Sequence, residues 1–193
     1  RNSVQHALNV LFDKIGAARV RLGSTLLGSA PGSGNCLGLS VFVTDNMGIN
    51  YPVTVFGTAA QYYNGSAWVS ITGAFAASTR VRFENFANYI FSVNGSDAMR
   101  TWDGTSGSWG TTQTTGSPTT TLLREFKQRM YTAGNTTYPD RLYYSTLVDS
   151  SLAITWNGTG SGSIDVDPDY GGNITALQKI SGQLLIFKNF GLY

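Results

Sequence analysis

The chain has 193 residues, of which 12% are charged, and a net charge of +2 at pH 7. This length is sufficient for a substantial core, and so small a net charge does not by itself indicate nucleic-acid binding. No segment approaches the roughly 18 to 20 consecutive apolar residues of a membrane span, and a single cysteine, Cys36, excludes an intrachain disulfide.

The composition is typical of an all-β protein, because 23 glycines, many Ser and Thr residues and 12% aromatics occur without long helix-forming runs. Residues 1–35 are predicted to form an irregular N-terminal arm ending in a Gly/Ser connector, and residues 36–193 to carry the strands. Short strands separated by frequent turn signals predict a sandwich, barrel or propeller. In chain order the predicted strands are residues 39–44, 51–56, 60–63, 68–72, 80–83, 89–93, 99–102, 122–126, 129–133, 142–145, 174–177 and 184–187.

An internal repeat favours antiparallel four-stranded blades of a β-propeller over a sandwich or an irregular β domain. F-A-N-Y-I-F at Phe86 recurs as F-K-Q-R-M-Y at Phe126, 40 residues later (126 − 86), and turns at Gly65 and Gly104 lie 39 residues apart (104 − 65). A third copy starts at Ile180, 54 residues further on (180 − 126), and an insertion within residues 149–171 accounts for the extra length. A period near 40 residues is that of a propeller blade.

The repeat predicts antiparallel hairpins within residues 89–102 and 129–144, on neighbouring blades. Alternate residues such as Tyr89 and Phe91 are expected on one face of their sheet. Either Tyr144 or Trp156 is the counterpart of Trp102, and the first choice leaves W-N-G inside the insertion.

The end of the sequence bears on completeness. Four blades of about 40 residues need about 160 residues, close to the length that follows the connector. However, the sequence ends at L-I-F-K-N-F-G-L-Y, which contains the end of the predicted strand 184–187 and no strand after it, and stable proteins avoid an open sheet edge. We therefore expect the 193 residues to be part of a larger propeller or to be completed by another chain.

Several stretches resemble a known group of proteins. These are R-M-Y-T-A-G-N-T-T-Y-P-D-R-L-Y-Y-S from Arg129, S-I-D-V-D-P-D-Y-G-G-N-I-T-A-L from Ser163, Q-L-L-I-F-K, V-R-F-E-N-F-A-N-Y-I-F-S-V-N-G-S-D and A-A-R-V-R-L-G-S-T-L-L. In order and spacing they resemble the tail propeller proteins of bacteriophages, specifically the nozzle or packaged-DNA stabilisation proteins of short-tailed phages. The sequence departs from the Arg-Pro-Gly of that group, since it has Arg21-Leu22-Gly23.

The resemblance implies a structural virion component of the tail, assembled in the host cytoplasm, with no enzymatic activity and no cofactor. It implies a cyclic homo-oligomer, six-fold in related proteins, that forms a ring around the DNA channel and retains and passes the genome. The implied partners are adjacent portal or adaptor proteins, other tail proteins and double-stranded DNA bound non-specifically. The segment up to Leu27 is expected to contribute subunit contacts.

The distribution of charge fits a channel that tolerates DNA without gripping it. A dense basic lining would hold the genome by releasing counterions from its phosphates, whereas this chain has 13 basic and 11 acidic residues. We expect its scattered arginines at subunit contacts or singly on the lumen: Arg19, Arg21, Arg80, Arg82 and Arg124.

Catalytic and metal-binding patterns are weak. A Ser-His-Asp triad would require His6, the single histidine, and His6 with Cys36 cannot form a zinc site alone. The stretch P-G-S-G-N-C-L-G has Leu37 where a dinucleotide fingerprint needs Gly, and it lacks the Lys-Ser/Thr of a phosphate-binding loop. We predict no catalytic, cofactor or metal residues.

Two further patterns have a structural and a functional interpretation. Asp165, Asp167 and Asp169 alternate and are predicted to be a solvated acidic loop, with a Ca²⁺ site as the alternative. The glycosylation-type sequences Asn-x-Ser/Thr are more simply turns, because Asn-Gly tolerates positive φ; they start at Asn64, Asn94, Asn135, Asn157 and Asn173.

Two other function classes remain open. One is a carbohydrate-binding β domain of a phage or bacterial surface protein, with Trp68, Trp102 and Trp109 as exposed stacking platforms. The other is a glycan-active hydrolase, although nothing in the sequence selects a pair among its 11 carboxylates. A defined multimer separates the tail ring from both.

Overall fold

The computed structural model describes residues 10–14, 17–20, 27–29, 32–44, 48, 50–76, 79–170 and 172–193. His6, Arg21 and most of the segment up to Leu27 lie outside these residues. Within the N-terminal arm, which was expected to be irregular, strands β1 (Val10–Lys14) and β2 (Ala17–Val20) form an antiparallel hairpin. The described residues contain no helix that is long and apolar enough to cross a membrane.

Residues 36–193 form four consecutive antiparallel sheets, so the all-β, propeller-like fold class is confirmed. The first sheet has four strands, the second three, the third four and the fourth two. The strands are β3 (Cys36–Val43), β4 (Asn50–Phe56), β5 (Ala59–Tyr63) and β6 (Trp68–Ile71); β7 (Arg82–Phe86), β8 (Tyr89–Val93) and β9 (Arg100–Trp102); β10 (Leu122–Phe126), β11 (Arg129–Ala133), β12 (Arg141–Tyr144) and β13 (Gly162–Asp165); and β14 (Ile174–Ile180) and β15 (Gln183–Lys188).

The two shorter sheets are extended by isolated bridges. In the second sheet, Thr101 of β9 pairs with Gly110, which belongs to no named strand. In the fourth sheet, Phe187 pairs with Leu192, and the amide of Ile186 donates to the carbonyl of Tyr193 at 2.8 Å. Strand β15 therefore has a partner on both sides at this point, where the sequence indicated no successor.

The first strand of each sheet is its inner strand. Strand β7 contacts both β3 and β10, and β10 contacts β14, so the four inner strands follow one another in space as they do in the chain. The residue before β7 is also bound to β3, since the amide of Val81 donates to the carbonyl of Leu37 at 2.8 Å. Each sheet runs outward from this centre, as in a propeller blade.

Three hydrophobic clusters lie between successive sheets. The first cluster includes Phe42, Ile90 and Trp102, the second includes Phe91 and Met130, and the third joins the third sheet to the fourth. Ile90 and Phe91 are adjacent in β8 and belong to different clusters because successive side chains of a strand point to opposite faces. The second and third sheets therefore face a cluster on both sides, whereas the first and fourth sheets each face one.

The predicted hairpins are confirmed. Strand β8 pairs with β9 and β11 with β12, both antiparallel and in adjacent sheets. Tyr89 packs with Phe91 on the second cluster, as the alternation required.

The repeat corresponds to a recurring turn. Phe86, Phe126 and Ile180 each end the inner strand of a sheet and pair across a two-residue loop with the first residue of the next strand. Both loop residues have positive φ in all three turns, namely Ala87-Asn88, Lys127-Gln128 and Ser181-Gly182. This is the type I′ conformation that matches the twist of the strands.

A second recurring turn explains the spacing of Gly65 and Gly104. Asn64 and Asp103 each follow the third strand of a sheet, and their side-chain oxygens accept hydrogen bonds from backbone amides two and three residues later. Asn94 and Asn135 form the same loop after the second strand of their sheets. These Asx turns account for three of the five Asn-x-Ser/Thr sequences.

Beyond shifts in strand bounds such as those of β3 and β14, two strands of residues 36–193 differ from the prediction in a way that matters for the site. Strand β7 begins at Arg82 and ends at Phe86, because the polar residues Glu84 and Asn85 lie on an inner strand rather than in a loop. Strand β13 was not predicted, since it lies in the Ser/Gly-rich insertion. It forms because it can complete the third sheet beside β12. Tyr144 ends β12 as Trp102 ends β9, and Trp156 lies in the insertion.

Candidate functional site

A cavity of about 310 Å³ opens where the inner strands of the first three sheets meet. Strands β3, β7 and β10 position its walls. Its polar lining consists of Ser40 from β3, Arg80 from the segment before β7, Arg82 and Glu84 from β7, and Arg124 from β10. The concentration of polar side chains at the centre distinguishes this cavity from the apolar clusters between the sheets.

One side of the cavity holds an ion pair. Arg124 Nη1 lies 3.1 Å from Glu84 Oε2, and the backbone amide of Glu125 donates to Glu84 Oε1 at 3.2 Å. Burial raises the pKa of Glu84 above its usual value, although the Arg124 guanidinium and the Glu125 amide oppose the shift. Arg124 also donates to Gln178 Oε1 at 3.1 Å and thereby reaches the inner strand of the fourth sheet.

The other side of the cavity carries two further cations, Arg80 and Arg82. Arg82 Nη1 donates to the carbonyl of Thr121 at 2.6 Å, and Arg80 is exposed. Burial, together with the adjacent Arg80 charge, lowers the pKa of Arg82. Within the described part of the chain, no carboxylate pairs with either guanidinium.

Three arginines expected to be scattered are therefore brought together. Arg80, Arg82 and Arg124 line one cavity and are therefore not scattered, whereas their expected location at subunit contacts or on a lumen stays a prediction. Arg19 lies in β2, whereas Arg21 is not among the described residues. The sequence repeat could have indicated this pairing. When Phe86 is aligned with Phe126, Glu84 and Arg124 occupy equivalent positions of the repeat.

The acidic run does not converge on a shared metal position. Asp165 is held by Arg141, with Oδ1 2.5 Å from Nε and Oδ2 2.9 Å from Nη2, and these hydrogen bonds lower the pKa of Asp165. Asp167 Oδ2 accepts from the Tyr193 hydroxyl at 2.6 Å. The described residues contain no group of three side chains suited to a metal ion.

A lysine occupies the centre of the acidic loop. Lys188 is only 6% exposed. Its Nζ donates to the backbone carbonyls of Val166, Asp167 and Tyr170 at 2.5 to 2.8 Å. These carbonyls are the kind of oxygen ligand that Ca²⁺ uses, and here an ammonium group from β15 satisfies them. Sequence reasoning missed this residue because it is distant in the chain from the aspartates.

The proposed aromatic platforms are wrong for two of three residues. Trp102 and Trp109 are 1% and 7% exposed and belong to the first cluster, while Trp68 is half-buried and donates to the carbonyl of Leu27 at 2.8 Å. Aromatic rings are exposed elsewhere. Tyr170 and Phe190, at 74% and 84% exposure, line a second cavity of about 610 Å³ together with Asp169.

No family model matches this chain, and no curated protein sequence matches it. Solved structures give similarities at low identity. The computationally designed Ika4 protein is 14% identical, with a TM-score of 0.53, over 89% of this chain and 97% of that protein. The computationally designed Ika8 protein is also 14% identical, with a TM-score of 0.49; the match covers 81% of this chain and 44% of the Ika8 chain, less than half its length. At this identity the likeness to Ika4 concerns the fold alone.

Proposed function

We propose that this chain is a non-enzymatic structural component of a bacteriophage tail that forms a ring around the DNA channel. The proposal rests on the resemblance of its strand and turn sequences to tail propeller proteins. It is supported by the propeller-like all-β fold, in which the resembling stretch from Arg129 contains β11 and β12.

The structural observation that best supports the proposal is that apolar side chains are exposed at both ends of the sheet series. Leu39, Val41 and Val43 of β3 alternate with the core residue Phe42, and they are 68%, 45% and 47% exposed. Ile180, 48% exposed, ends the inner strand of the fourth sheet at the other end of the series. A closed ring requires two such different patches, because its interfaces are heterologous.

In this proposal the ring is a homo-oligomer, with six-fold symmetry taken from the resemblance. Its neighbours are portal or adaptor proteins and other tail proteins, and double-stranded DNA passes through without sequence readout. The protein belongs to the virion tail and assembles in the host cytoplasm. Its function is geometric and requires a rigid β scaffold with defined subunit contacts.

Mass photometry of the purified protein and particle imaging of the assembled tail test this proposal. We expect a defined multimer that Val41→Glu reduces to a folded monomer, because the substitution places a charge on an apolar contact face. Leu147→Glu is the matched control. Leu147 is 52% exposed and lies in the segment after β12, away from both ends of the sheet series. A native particle that contains the chain as a monomer would rule out the ring.

The second candidate function is carbohydrate binding, and one observation favours it. Tyr170 and Phe190 expose two rings beside the carboxylate of Asp169 in one cavity, and aromatic faces with an adjacent polar group suit a sugar. We expect glycan-array binding that is lost in Phe190→Ala and retained in Tyr138→Ala, because Tyr138 is 47% exposed elsewhere. Absence of array binding would discard this alternative.

A further inference from the structure

We propose that the cavity between β3, β7 and β10 binds a small phosphate-type oxyanion. This inference goes beyond the tail-ring proposal and does not depend on it. It rests on the juxtaposition of Arg80, Arg82 and Arg124 with the hydroxyl-bearing Ser40 around one concave space.

The charge of the cavity lining calls for an anion. Three guanidinium groups and one carboxylate leave an excess of two positive charges (3 − 1) among the charged residues of the lining. Glu84 neutralises only one guanidinium, that of Arg124. An excess of this size matches a dianion such as hydrogen phosphate at neutral pH.

The uncompensated cations are placed so that an anion would relieve their repulsion. Arg82 is half-buried, and its neighbouring charge is another cation, Arg80. The hydrogen bond that Arg82 donates to the carbonyl of Thr121 provides no negative charge. Like charges in a partly desolvated space repel more strongly than in water, so a shared oxyanion stabilises both.

The lining also provides the donors that an oxyanion needs. Guanidinium groups bind phosphate oxygens through paired N–H donors. The hydroxyl of Ser40 has no hydrogen-bond partner among the described residues and faces the same cavity as the arginines. A cavity of about 310 Å³ has room for a phosphate group with a further substituent.

Isothermal titration of the full chain with inorganic phosphate, at constant ionic strength set with chloride, tests the site. We expect saturable binding, with affinity at least tenfold weaker in Arg80→Gln. Arg80 is exposed, so this variant is expected to fold as the wild type does. The control Lys127→Gln makes the same change in net charge on the turn beyond β10, and its affinity is expected to equal that of the wild type.

Competition identifies the source of the oxyanion. A short DNA duplex that displaces phosphate assigns the site to a phosphodiester backbone, and a duplex that does not displace it assigns the site to a free phosphate or phosphomonoester. Either result supports the site. Non-saturable heats with phosphate, or equal losses in Arg80→Gln and Lys127→Gln, would overturn it.

Discussion

At the scale of single residues, polar side chains of the inner strands link one sheet to the next. Glu84 pairs with Arg124, Lys179 Nζ lies 2.6 Å from Glu125 Oε2, and Asn85 donates to the carbonyl of Val41 at 2.8 Å. Exposed ion pairs of this type contribute little individually. Glu84 differs because it is partly desolvated, and its ionisation is therefore coupled to folding.

The raised pKa of Glu84 predicts a measurable pH dependence. A carboxyl whose pKa is higher in the folded state than in the unfolded chain destabilises the fold when ionised, and this cost is lost as pH falls through the folded-state pKa. The usual pKa of a glutamate is 4.5. As pH is lowered from 7 toward this value, the free energy of unfolding of the wild type should therefore rise relative to that of Glu84→Gln. Urea unfolding of both proteins across this range measures the difference, and parallel curves would contradict it.

At the scale of elements, two kinds of turn define the sheets. The type I′ turns after the inner strands fix the register of the hairpins, because both of their residues require positive φ. The Asx turns at Asn64, Asp103 and Asn94 close wider loops by replacing a backbone acceptor with a side-chain oxygen. Asn and Asp can both form such a turn when only the side-chain oxygen takes part, as an acceptor of backbone hydrogen bonds.

Asn64 allows this account to be tested with a matched pair of variants. Its Oδ1 accepts from the amides of Ser66 and Ala67, both at 2.9 Å, and Asp103 performs the same role in the second sheet. Asn64→Asp should therefore leave the free energy of unfolding near the wild-type value, whereas Asn64→Ala should lower it by about 1 kcal/mol. Chemical denaturation of the two variants gives the comparison. Equal losses would show that the acceptor is not what stabilises the loop.

At the scale of the whole molecule, the sheets are stacked in series. Each cluster joins only two neighbouring sheets, and the inner strands contact one another in chain order. Stability in such an arrangement is the sum of local units and of the interfaces between neighbours. A defect at one interface is therefore expected to act mainly on the sheets that it joins.

Leu142→Ala tests this locality. Leu142 is 3% exposed and lies in the third cluster with Ile174 and Leu177, so truncation should cost about 2 to 5 kcal/mol. Hydrogen exchange should accelerate in residues 174–188 while the amides of β8 and β9 keep their protection. Leu147→Ala, at an exposed position, is the control. Uniform acceleration along the chain would indicate one cooperative unit instead.

The sequence was sufficient for the fold class because the relevant signals are local. Strand alternation, the hairpins at Tyr89 and Arg129, and the repeat of Phe86, Phe126 and Ile180 depend on neighbouring residues. Strand β13 escaped prediction because its Ser/Gly-rich sequence has little strand propensity of its own, and pairing with β12 stabilises it.

The amino-acid sequence by itself determined the all-β architecture, the order of the sheets and the positions of the turns, since backbone conformation follows from short-range sterics and alternation. Only the tertiary structure decided which side chains meet. It buried Trp102 and Trp109, placed Lys188 inside the acidic loop and gathered Arg80, Arg82 and Arg124 around one cavity. The reason is physical: these contacts join different sheets or distant loops, and their geometry depends on how successive sheets pack rather than on spacing along the chain.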